Sequence, residues 1–223
     1  MTIPSPRFAL LPDSADSRLL VDLTSHANDL SEAANALKGA VNVGQGSELW
    51  EPLTSHAVTA YIRPFTTSNV RARLDQMSEI PSVPPELQSV HDTIRKYRNT
   101  TVAHSQSDLV MPLSLVILND SGQGVDVRGL TLSHPMPLAF AEHFAALIVA
   151  MQDIVDQATQ LVLERLRSWL RTQTPDAIRG WRRPEVAFAE DAEFSATRRR
   201  RRDPHFTFYA HTEPIPDDEH RDV

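Results

Sequence analysis

The stretch MPLAFAEHFAALIVAMQDIVDQATQLVLERLRSWLRT, residues 136–172, decides the fold class of this chain. Apolar side chains recur in it every three or four residues, the spacing that places them on one face of an α-helix. These positions are Phe140, Phe144, Ile148, Met151, Val155, Ala158, Val162, Leu166 and Trp169. At 1.5 Å per residue such a helix is about 50 Å long. That length exceeds one small domain, so it predicts either a surface for a partner chain or a long helix flanked by solvent.

Two helices are predicted near the N-terminus. The first helix is predicted to run to about Lys38, with leucine and alanine at helical spacing behind the candidate caps Asp13 and Ser14, and Gly39 is expected to end it. Ser47 is expected to cap a second helix, which stops near Pro64. The chain therefore begins with two helices joined by a short glycine-containing loop.

A third helix and a hairpin fill the space before the long helix. The third helix is predicted over 85–104. Pro85 stands in its first turn, where the backbone N–H that proline lacks would have no partner within the helix. Residues 109–118 (LVMPLSLVIL) and 125–132 (VDVRGLTL) are typical of two strands joined by a turn, and Pro112 favours an edge position. The sequence thus predicts a mainly α protein: an antiparallel helical bundle with a small β-hairpin inserted between the third and the last long helix.

The composition changes after Pro184, where the chain becomes acidic, proline-rich and then basic. We therefore expect residues 1–184 to form the helical bundle domain and residues 185–223 to form a C-terminal tail of low order. Within that tail, the segment HFTFYAH at 205–211 is a candidate strand.

Charge and composition limit the class of protein. The formal net charge is −7, so the overall field repels phosphate and any contact with nucleic acid has to be local. The absence of cysteine excludes disulfides and thiolate chemistry. The N-terminus is interrupted by prolines, and no unbroken apolar run approaches the roughly 20 residues of a membrane span. We expect a soluble, cytoplasmic protein with no membrane partner.

One short segment concentrates basic and polar side chains. It is TIRKYRNTTVAHSQ, residues 93–106, and it contains Arg95, Lys96, Tyr97, Arg98, Asn99 and His104. The run resembles the signature of the HEPN superfamily, and in particular its abortive-infection and toxin-like members. That signature is an arginine, a polar residue directly after it, and a histidine after four to six intervening residues. Here Asn99 follows Arg98, and five residues separate Arg98 from His104.

The resemblance covers roughly residues 14–172 and has direct implications. It implies a HEPN-type bundle, homodimerisation, and a metal-independent endoribonuclease of the toxin–antitoxin or abortive-infection kind, with Arg98, Asn99 and His104 as catalytic residues. The neighbouring Arg95, Lys96 and Tyr97 are then expected to contact RNA. An antitoxin or a regulatory protein is an implied partner.

The same chemistry can be argued from the side chains themselves. RNA carries its own nucleophile, the ribose 2′-OH, so cleavage needs a proton acceptor, a proton donor and a cation for the phosphate. His104 suits proton transfer near neutral pH, and the fork of Arg98 binds phosphate oxygens through two hydrogen bonds. Asn99 can orient either group through its amide. No pair of Asp or Glu residues flanks the motif at ligand spacing, so we expect neither a metal nor another cofactor.

The motif also has structural and non-catalytic explanations. On a straight helix, six residues place His104 about 120° around from Arg98, so one copy gives an incomplete site and a dimer gives a better one. An arginine and a histidine near a helix C-terminus also stabilise the helix dipole by about 0.3–1 kcal/mol without any catalysis. Two further alternatives stay open: a non-catalytic HEPN module that binds a nucleotide, RNA or a partner protein, and a helical scaffold whose motif is accidental.

A second candidate group lies in SHAVTAYIRPF, residues 55–65. His56 and Arg63 are seven residues apart and therefore nearly on one face of a helix, where both can bind RNA. The alternative is structural: His56 is a half-buried histidine with its hydrogen bonds satisfied, and Arg63 pairs with Glu48 or Glu51.

The tail contains one strongly basic block, Arg198–Arg202, followed by the aromatic residues of 205–211. Arginine and aromatic rings together suit single-stranded RNA. The alternatives are a solvated tail, neutralised by the acidic residues around it, or a docking segment for a partner protein.

Overall fold

A computed structural model describes residues 8–102, 109–190 and 205–210, with side chains as far as residue 184. The helices are α1 (Ala15–Val43), α2 (Trp50–Ile62), α3 (Gln88–Tyr97), α4 (Leu138–Leu170) and α5 (Pro175–Arg179). The strands are β1 (Val110–Leu118), β2 (Gly124–Ser133), β3 (Glu185–Glu190) and β4 (His205–Ala210). Short 3₁₀ turns occupy Arg63–Phe65, Leu74–Gln76 and Pro85–Leu87, and a π-helical turn occupies Arg98–Val102. The mainly helical class and the inserted antiparallel hairpin are both confirmed.

The bundle is organised around α1 and α4, which run in opposite directions. Arg165, near the end of α4, pairs with Asp16 at the start of α1 at 2.7 Å. At the opposite end, the Trp50 indole N–H donates to the carbonyl of Met136, just before α4, at 2.8 Å. Trp50 begins α2, so α2 starts beside the beginning of α4 and returns along α1.

The core lies where these helices meet and is closed by aromatic rings. Tyr61 on α2 packs edge-on against Phe144 on α4, with ring centroids 5.3 Å apart, and its hydroxyl lies 2.8 Å from Nδ1 of His91 on α3. The largest fully buried side chains include Leu23, Leu30, Trp50, Tyr61, Ile94, Phe144, Leu147, Ile148 and Met151. Burial of this apolar surface, at about 25 cal/mol per Å², is the main force that holds the helices together.

The prediction that Gly39 ends the first helix is wrong. Helix α1 continues to Val43 and stops at Gly44, whose φ of 82° needs glycine. Gly39 instead lies inside the helix, where a Cβ would make an ordinary van der Waals contact, at 3.7 Å, with a methyl group of Leu53 on α2. The predicted N-cap is correct: Ser14 and Ser17 form a reciprocal capping box.

The third predicted helix consists of three segments of different helical type. The prediction of one continuous helix over 85–104 is corrected to a 3₁₀ turn at Pro85–Leu87, α3, and the π-helical turn. The second helix begins at Trp50 rather than next to Ser47, and Leu49 precedes it without a side-chain cap. Residues 103–108, the end of the predicted third helix, lie outside the described part of the chain.

Strands β1 and β2 pair antiparallel in a two-stranded sheet, with Leu113 opposite Leu130 and Pro112 opposite Thr131. In a two-stranded sheet both strands are edges, which accommodates Pro112 as predicted. Strands β3 and β4 pair parallel in a separate sheet. The candidate strand in 205–211 is therefore confirmed as β4, while the low order expected for the whole tail stays a prediction.

Helix α4 is long and apolar enough, by length and composition, to cross a membrane, with a mean hydropathy of 1.5 over its most apolar 18 residues. Core helices of soluble proteins meet the same criterion. Residues at helical spacing from Ala141 to Leu166 are buried against the bundle, which is the pattern of an amphipathic core helix. The helix is therefore weak evidence for a membrane span.

Candidate functional site

The helix that carries the motif changes its winding at Arg98. Helix α3 ends at Tyr97, and Arg98–Val102 form a π-helical turn with the sequence RNTTV. Its three β-branched residues crowd a regular α-helical turn, and the Thr100 hydroxyl donates to the carbonyl of Lys96 at 2.9 Å. Turns of π-helix are frequent at functional sites. The 120° separation calculated for a straight α-helix therefore does not apply here.

Arg98 lies at a cavity of about 290 Å³ beside the end of α2 and the loop that follows α2. Its lining residues are Thr59, Ile62, Arg63, Thr66, Thr67, Ser68, Arg71 and Arg98. Among the described residues, the lining thus combines three guanidinium groups with four hydroxyl groups and contains no carboxylate. The hydroxyls of Thr59 and Thr66 already donate to main-chain carbonyls, which leaves those of Thr67 and Ser68 to donate to a ligand. Guanidinium and hydroxyl donors are the groups that bind phosphate oxygens. The cavity is chemically suited to an oxyanion.

Of the three arginines in this cavity, Arg98 is the one with an uncompensated charge. Its side chain is half-buried, and Nη1 donates to Oδ1 of Asn99 at 3.2 Å. Within the residues that the structure describes, Arg98 forms no salt bridge, whereas Arg63 and Arg71 both do. Arg98 therefore offers most of its donors to a ligand.

Carboxylates on α1 hold the other two arginines. Nη1 of Arg63 lies 2.6 Å from Oε2 of Glu32 and 3.3 Å from Oδ1 of Asp29. Arg71 pairs with the other oxygen of Asp29 and also donates to the hydroxyl of Ser25. The Asp29 and Arg71 side chains are only 9% and 12% exposed, so this second pair fixes the loop against α1. Breaking such a buried pair by removing one partner costs about 3–5 kcal/mol.

The pair between Arg63 and Glu32 is more open to solvent and therefore easier to exchange. The hydrogen bond from Arg63 lowers the pKa of Glu32, and the same bond raises the pKa of Arg63. Both side chains are at least one-third exposed, and exposed pairs contribute only about 0–1 kcal/mol. An incoming phosphate can compete with Glu32 for Arg63 at little cost.

Glu32 also connects His56 to this group. Nε2 of His56 lies 2.8 Å from Oε1 of Glu32, whose other oxygen binds Arg63. His56 and Glu32 line a neighbouring cavity of about 410 Å³ between α1 and α2. His56 is therefore linked to the arginine site through one carboxylate rather than lying in the cavity of Arg98.

The predicted partners of Arg63 are wrong, although the prediction of an ion pair is correct. Arg63 pairs with Asp29 and Glu32, not with Glu48 or Glu51. Glu51 lies twelve residues earlier on α2, about 18 Å away along a helix axis. Carboxylates of α1, which packs alongside α2, are the ones within reach of Arg63.

The remaining predicted contacts do not share the cavity. Arg95 lines a different cavity, beside His91 and Met151, and Lys96 is exposed. Tyr97 is half-buried against the core, and burial, with a smaller contribution from the charge of Glu51, raises its pKa. Of the predicted RNA contacts, Arg63 is thus the one that lies beside Arg98.

Two of the predicted functional segments lie outside the described residues. His104 lies in 103–108, and the basic block Arg198–Arg202 lies in 191–204. Their predicted roles in proton transfer and in RNA or partner binding stay predictions.

The sequence analysis missed Arg71 and the loop hydroxyls. The signal was present as TTSNVRAR, residues 66–73, directly after Phe65. Hydroxyl side chains followed by an arginine suggest an anion site only when a helix end places them beside another cation. That arrangement depends on the contact between Arg71 and Asp29, whose residues are 42 positions apart.

Among the described residues, no group of three or more His, Asp or Glu side chains is arranged to hold a metal ion. No protein-family model, curated protein or solved structure matches this chain. The resemblance to the HEPN superfamily therefore rests on the 93–106 segment and on the helical arrangement around it.

Proposed function

We propose that this protein is a metal-independent endoribonuclease of the HEPN type, of the toxin or defence class, in which Arg98 holds the phosphate that is cleaved. The observation that carries the proposal is the guanidinium of Arg98, which forms no salt bridge with the described residues and lies at a cavity beside the guanidinium groups of Arg63 and Arg71. A net charge of −7 makes such a local cluster the region where RNA phosphate is attracted rather than repelled.

The reaction uses the nucleophile of the substrate. The 2′-oxygen attacks phosphorus, the bond from phosphorus to the 5′-oxygen breaks, and a 2′,3′-cyclic phosphate and a 5′-hydroxyl result. The proton of the 2′-OH passes to a base, and the leaving 5′-oxygen receives a proton; both transfers are assigned to His104 in a pair of copies. Arg98, oriented by Asn99, stabilises the charge that develops on the phosphate oxygens.

A homodimer completes the proposed site. Two copies of the motif related by a two-fold axis supply two arginines and two histidines to one cleft, so one imidazole can accept a proton while the other donates one. Arg63 extends the cationic surface beside Arg98, and release of Glu32 lets it bind an adjacent phosphate.

The test is cleavage of a labelled RNA in the presence of EDTA. The wild-type chain is expected to cut RNA and to leave 2′,3′-cyclic phosphate ends. Arg98→Ala and His104→Ala are expected to reduce the rate at least a hundredfold without loss of helical signal, because each removes a group needed in the transition state. Arg167→Ala is the matched control, since it removes the same charge at an exposed position of α4 that does not line the cavity. Equal cleavage by wild type and the Arg98→Ala/His104→Ala double variant would falsify the proposal.

The second candidate is a non-catalytic HEPN module that binds a nucleotide, RNA or a partner protein through the same cavity. It is favoured by the described lining of the cavity, which contains arginines and hydroxyl groups but no histidine or carboxylate that could transfer a proton. This candidate is supported over the nuclease if purified protein, free of any antitoxin, binds RNA in a manner that depends on Arg98. The bound RNA must also stay intact after prolonged incubation.

A further inference from the structure

The cavity beside His91 and Met151 lies between α3, α4 and the loop that follows the 3₁₀ turn at Leu74–Gln76. Its volume is about 200 Å³, less than the roughly 300–1,000 Å³ of sites for drug-sized ligands. The walls are mainly apolar and are formed by Phe65, Leu74, Ile80, Pro81, Val83 and Met151. A cavity of this size and lining suits a small molecule with a compact apolar body.

A buried histidine reaches this cavity. His91 on α3 is 4% exposed, and its Nδ1 lies 2.8 Å from the hydroxyl of Tyr61, which is fully buried. Burial raises the pKa of Tyr61, so the phenol keeps its proton. Burial, and then the charge of Arg95, lowers the pKa of His91, so the ring is neutral near neutral pH. Asp92 and Asp75 oppose this pKa shift with smaller effects.

These protonation states fix the direction of the hydrogen bond between the two rings. A buried hydroxyl hydrogen without an acceptor is unfavourable, and among the described residues the acceptor beside the Tyr61 hydroxyl is Nδ1 of His91. Tyr61 therefore donates to Nδ1, and the ring hydrogen of His91 is on Nε2. Nε2 has no partner among the described residues and is not sealed from the surroundings. His91 thus offers a free N–H donor at the wall of the cavity.

Arg95 adds a positive charge to the same cavity. It lies four residues after His91 on α3, which places both side chains on one face of the helix, and both line the cavity. Arg95 is exposed and forms no salt bridge with any described residue. The carboxylate of Asp75 also lines the cavity, but both of its oxygens accept hydrogen bonds from Arg73. The uncompensated charge at the cavity is therefore that of Arg95.

We propose that this cavity is a binding site for a small monocarboxylate with a compact apolar body. One carboxylate oxygen accepts from Nε2–H of His91, and the guanidinium of Arg95 binds the other oxygen. The apolar body packs against Phe65, Ile80 and Met151. The site is separate from the cavity of Arg98 and does not depend on cleavage of RNA, so a chain that leaves RNA intact is expected to bind the same ligand.

Two other occupants fit the cavity less well. Water can satisfy Nε2 of His91, but a cavity of about 200 Å³ has room for several molecules, and its apolar walls offer them few partners. Inorganic phosphate carries more charge, and the same walls would remove it from water without enough donors. A carboxylate with an apolar body matches both the donors and the walls.

The test is calorimetric titration of the full chain with benzoate and with two comparison ligands. Benzyl alcohol keeps the ring and lacks the charge, whereas inorganic phosphate keeps a negative charge and lacks the ring. Benzoate is expected to bind saturably and at least about tenfold more tightly than either, because it alone combines charge-assisted hydrogen bonds with burial of an apolar ring.

Matched variants on α3 separate this site from a general effect of charge. Arg95→Gln removes the guanidinium at the cavity and is expected to weaken benzoate binding about tenfold or more. Lys96→Gln removes one charge from the next residue, which is exposed and does not line the cavity, and is expected to change the affinity less than about twofold.

Nitrogen NMR of the imidazole rings tests the role of the buried histidine without a substitution there. The free chain is expected to show the Nε2–H form of His91, and benzoate is expected to shift its Nε2 resonance. The proposal is overturned by any of four results: no saturable binding of benzoate, equal affinity for benzoate and benzyl alcohol, tighter binding of phosphate, or equal losses in the two variants.

Discussion

At the scale of single residues, the carboxylates of Asp29 and Glu32 decide which arginine is available to a ligand. Asp29 is buried and holds Arg71, Glu32 is more open and holds Arg63, and Arg98 has neither. The sequence predicted Arg98 from the motif in residues 93–106, and Arg63 from its seven-residue spacing to His56. The sequence could not predict which carboxylate pairs with which arginine, because these pairs join residues more than thirty positions apart.

A pH-dependent stability is expected from His26. The ring is fully buried, Nε2 bonds the carbonyl of Ala72 at 3.1 Å, and Nδ1 has no partner among the described residues. Burial, and then the charge of Arg71, lowers the pKa of His26, against smaller opposing effects of the Ala72 carbonyl, Asp22 and Asp29. The folded state therefore favours the neutral ring, and the unfolded state binds the proton first.

Because the unfolded state takes up the proton at a higher pH than the folded state does, acidification lowers the stability of the fold. Stability is complete above the unfolded pKa of about 6.5 and declines as the pH falls below it toward the lower folded pKa. Urea midpoints measured at pH 7.5 and 5.5 are expected to differ less in His26→Gln than in the wild type. His91, whose pKa burial also lowers, supplies part of the remaining dependence. His143→Gln, at an exposed position of α4, is the control and is expected to keep the wild-type difference; an unchanged difference in His26→Gln would contradict the account.

At the scale of elements, periodicity predicted where helices lie but not how they end. Glycine is a common terminator, so Gly39 was the natural choice, yet α1 continues to Gly44. Gly39 lies within the helix and faces Leu53 of α2, whereas Gly44 takes the positive φ at which the helix ends. The π-helical turn at Arg98–Val102 was equally hidden, because β-branched residues lower helix propensity without specifying which other winding replaces it.

The end of α1 gives a prediction with a matched control. Gly44 has φ 82° and ψ 157°, a backbone region that residues other than glycine adopt at a cost of about 1–3 kcal/mol. Gly44→Ala is therefore expected to lower the free energy of unfolding by about that amount. Gly46→Ala, two residues later in the same loop, is expected to change it by less than about 0.5 kcal/mol, because a Cβ there meets nothing within 4 Å and its φ is not positive. Chemical denaturation measures both, and equal effects would show that the cap geometry is not the cause.

At the scale of the whole molecule, the sequence predicted the mainly helical class, the hairpin and the long last helix. These follow from patterns that repeat within one segment. The cavity around Arg98 depends on how separate segments assemble, so it required the three-dimensional arrangement. Because the net charge of the chain is negative, there are few places on the molecule where an RNA backbone is attracted.

The most direct measurement is binding of a non-cleavable, 2′-O-methyl RNA oligonucleotide, followed by fluorescence anisotropy, because it separates phosphate binding from chemistry. Arg98→Ala is expected to weaken binding about 10–100-fold, the loss of one charge-assisted contact of roughly 1.5–3 kcal/mol. The slope of log affinity against log salt is expected to fall by about 0.7, as for one phosphate contact on a single strand. Arg167→Ala, which removes a charge at an exposed position of α4 outside the cavity, is expected to stay within about threefold of the wild type. Equal affinities and equal slopes for wild type and Arg98→Ala would contradict the claim that Arg98 holds the RNA phosphate.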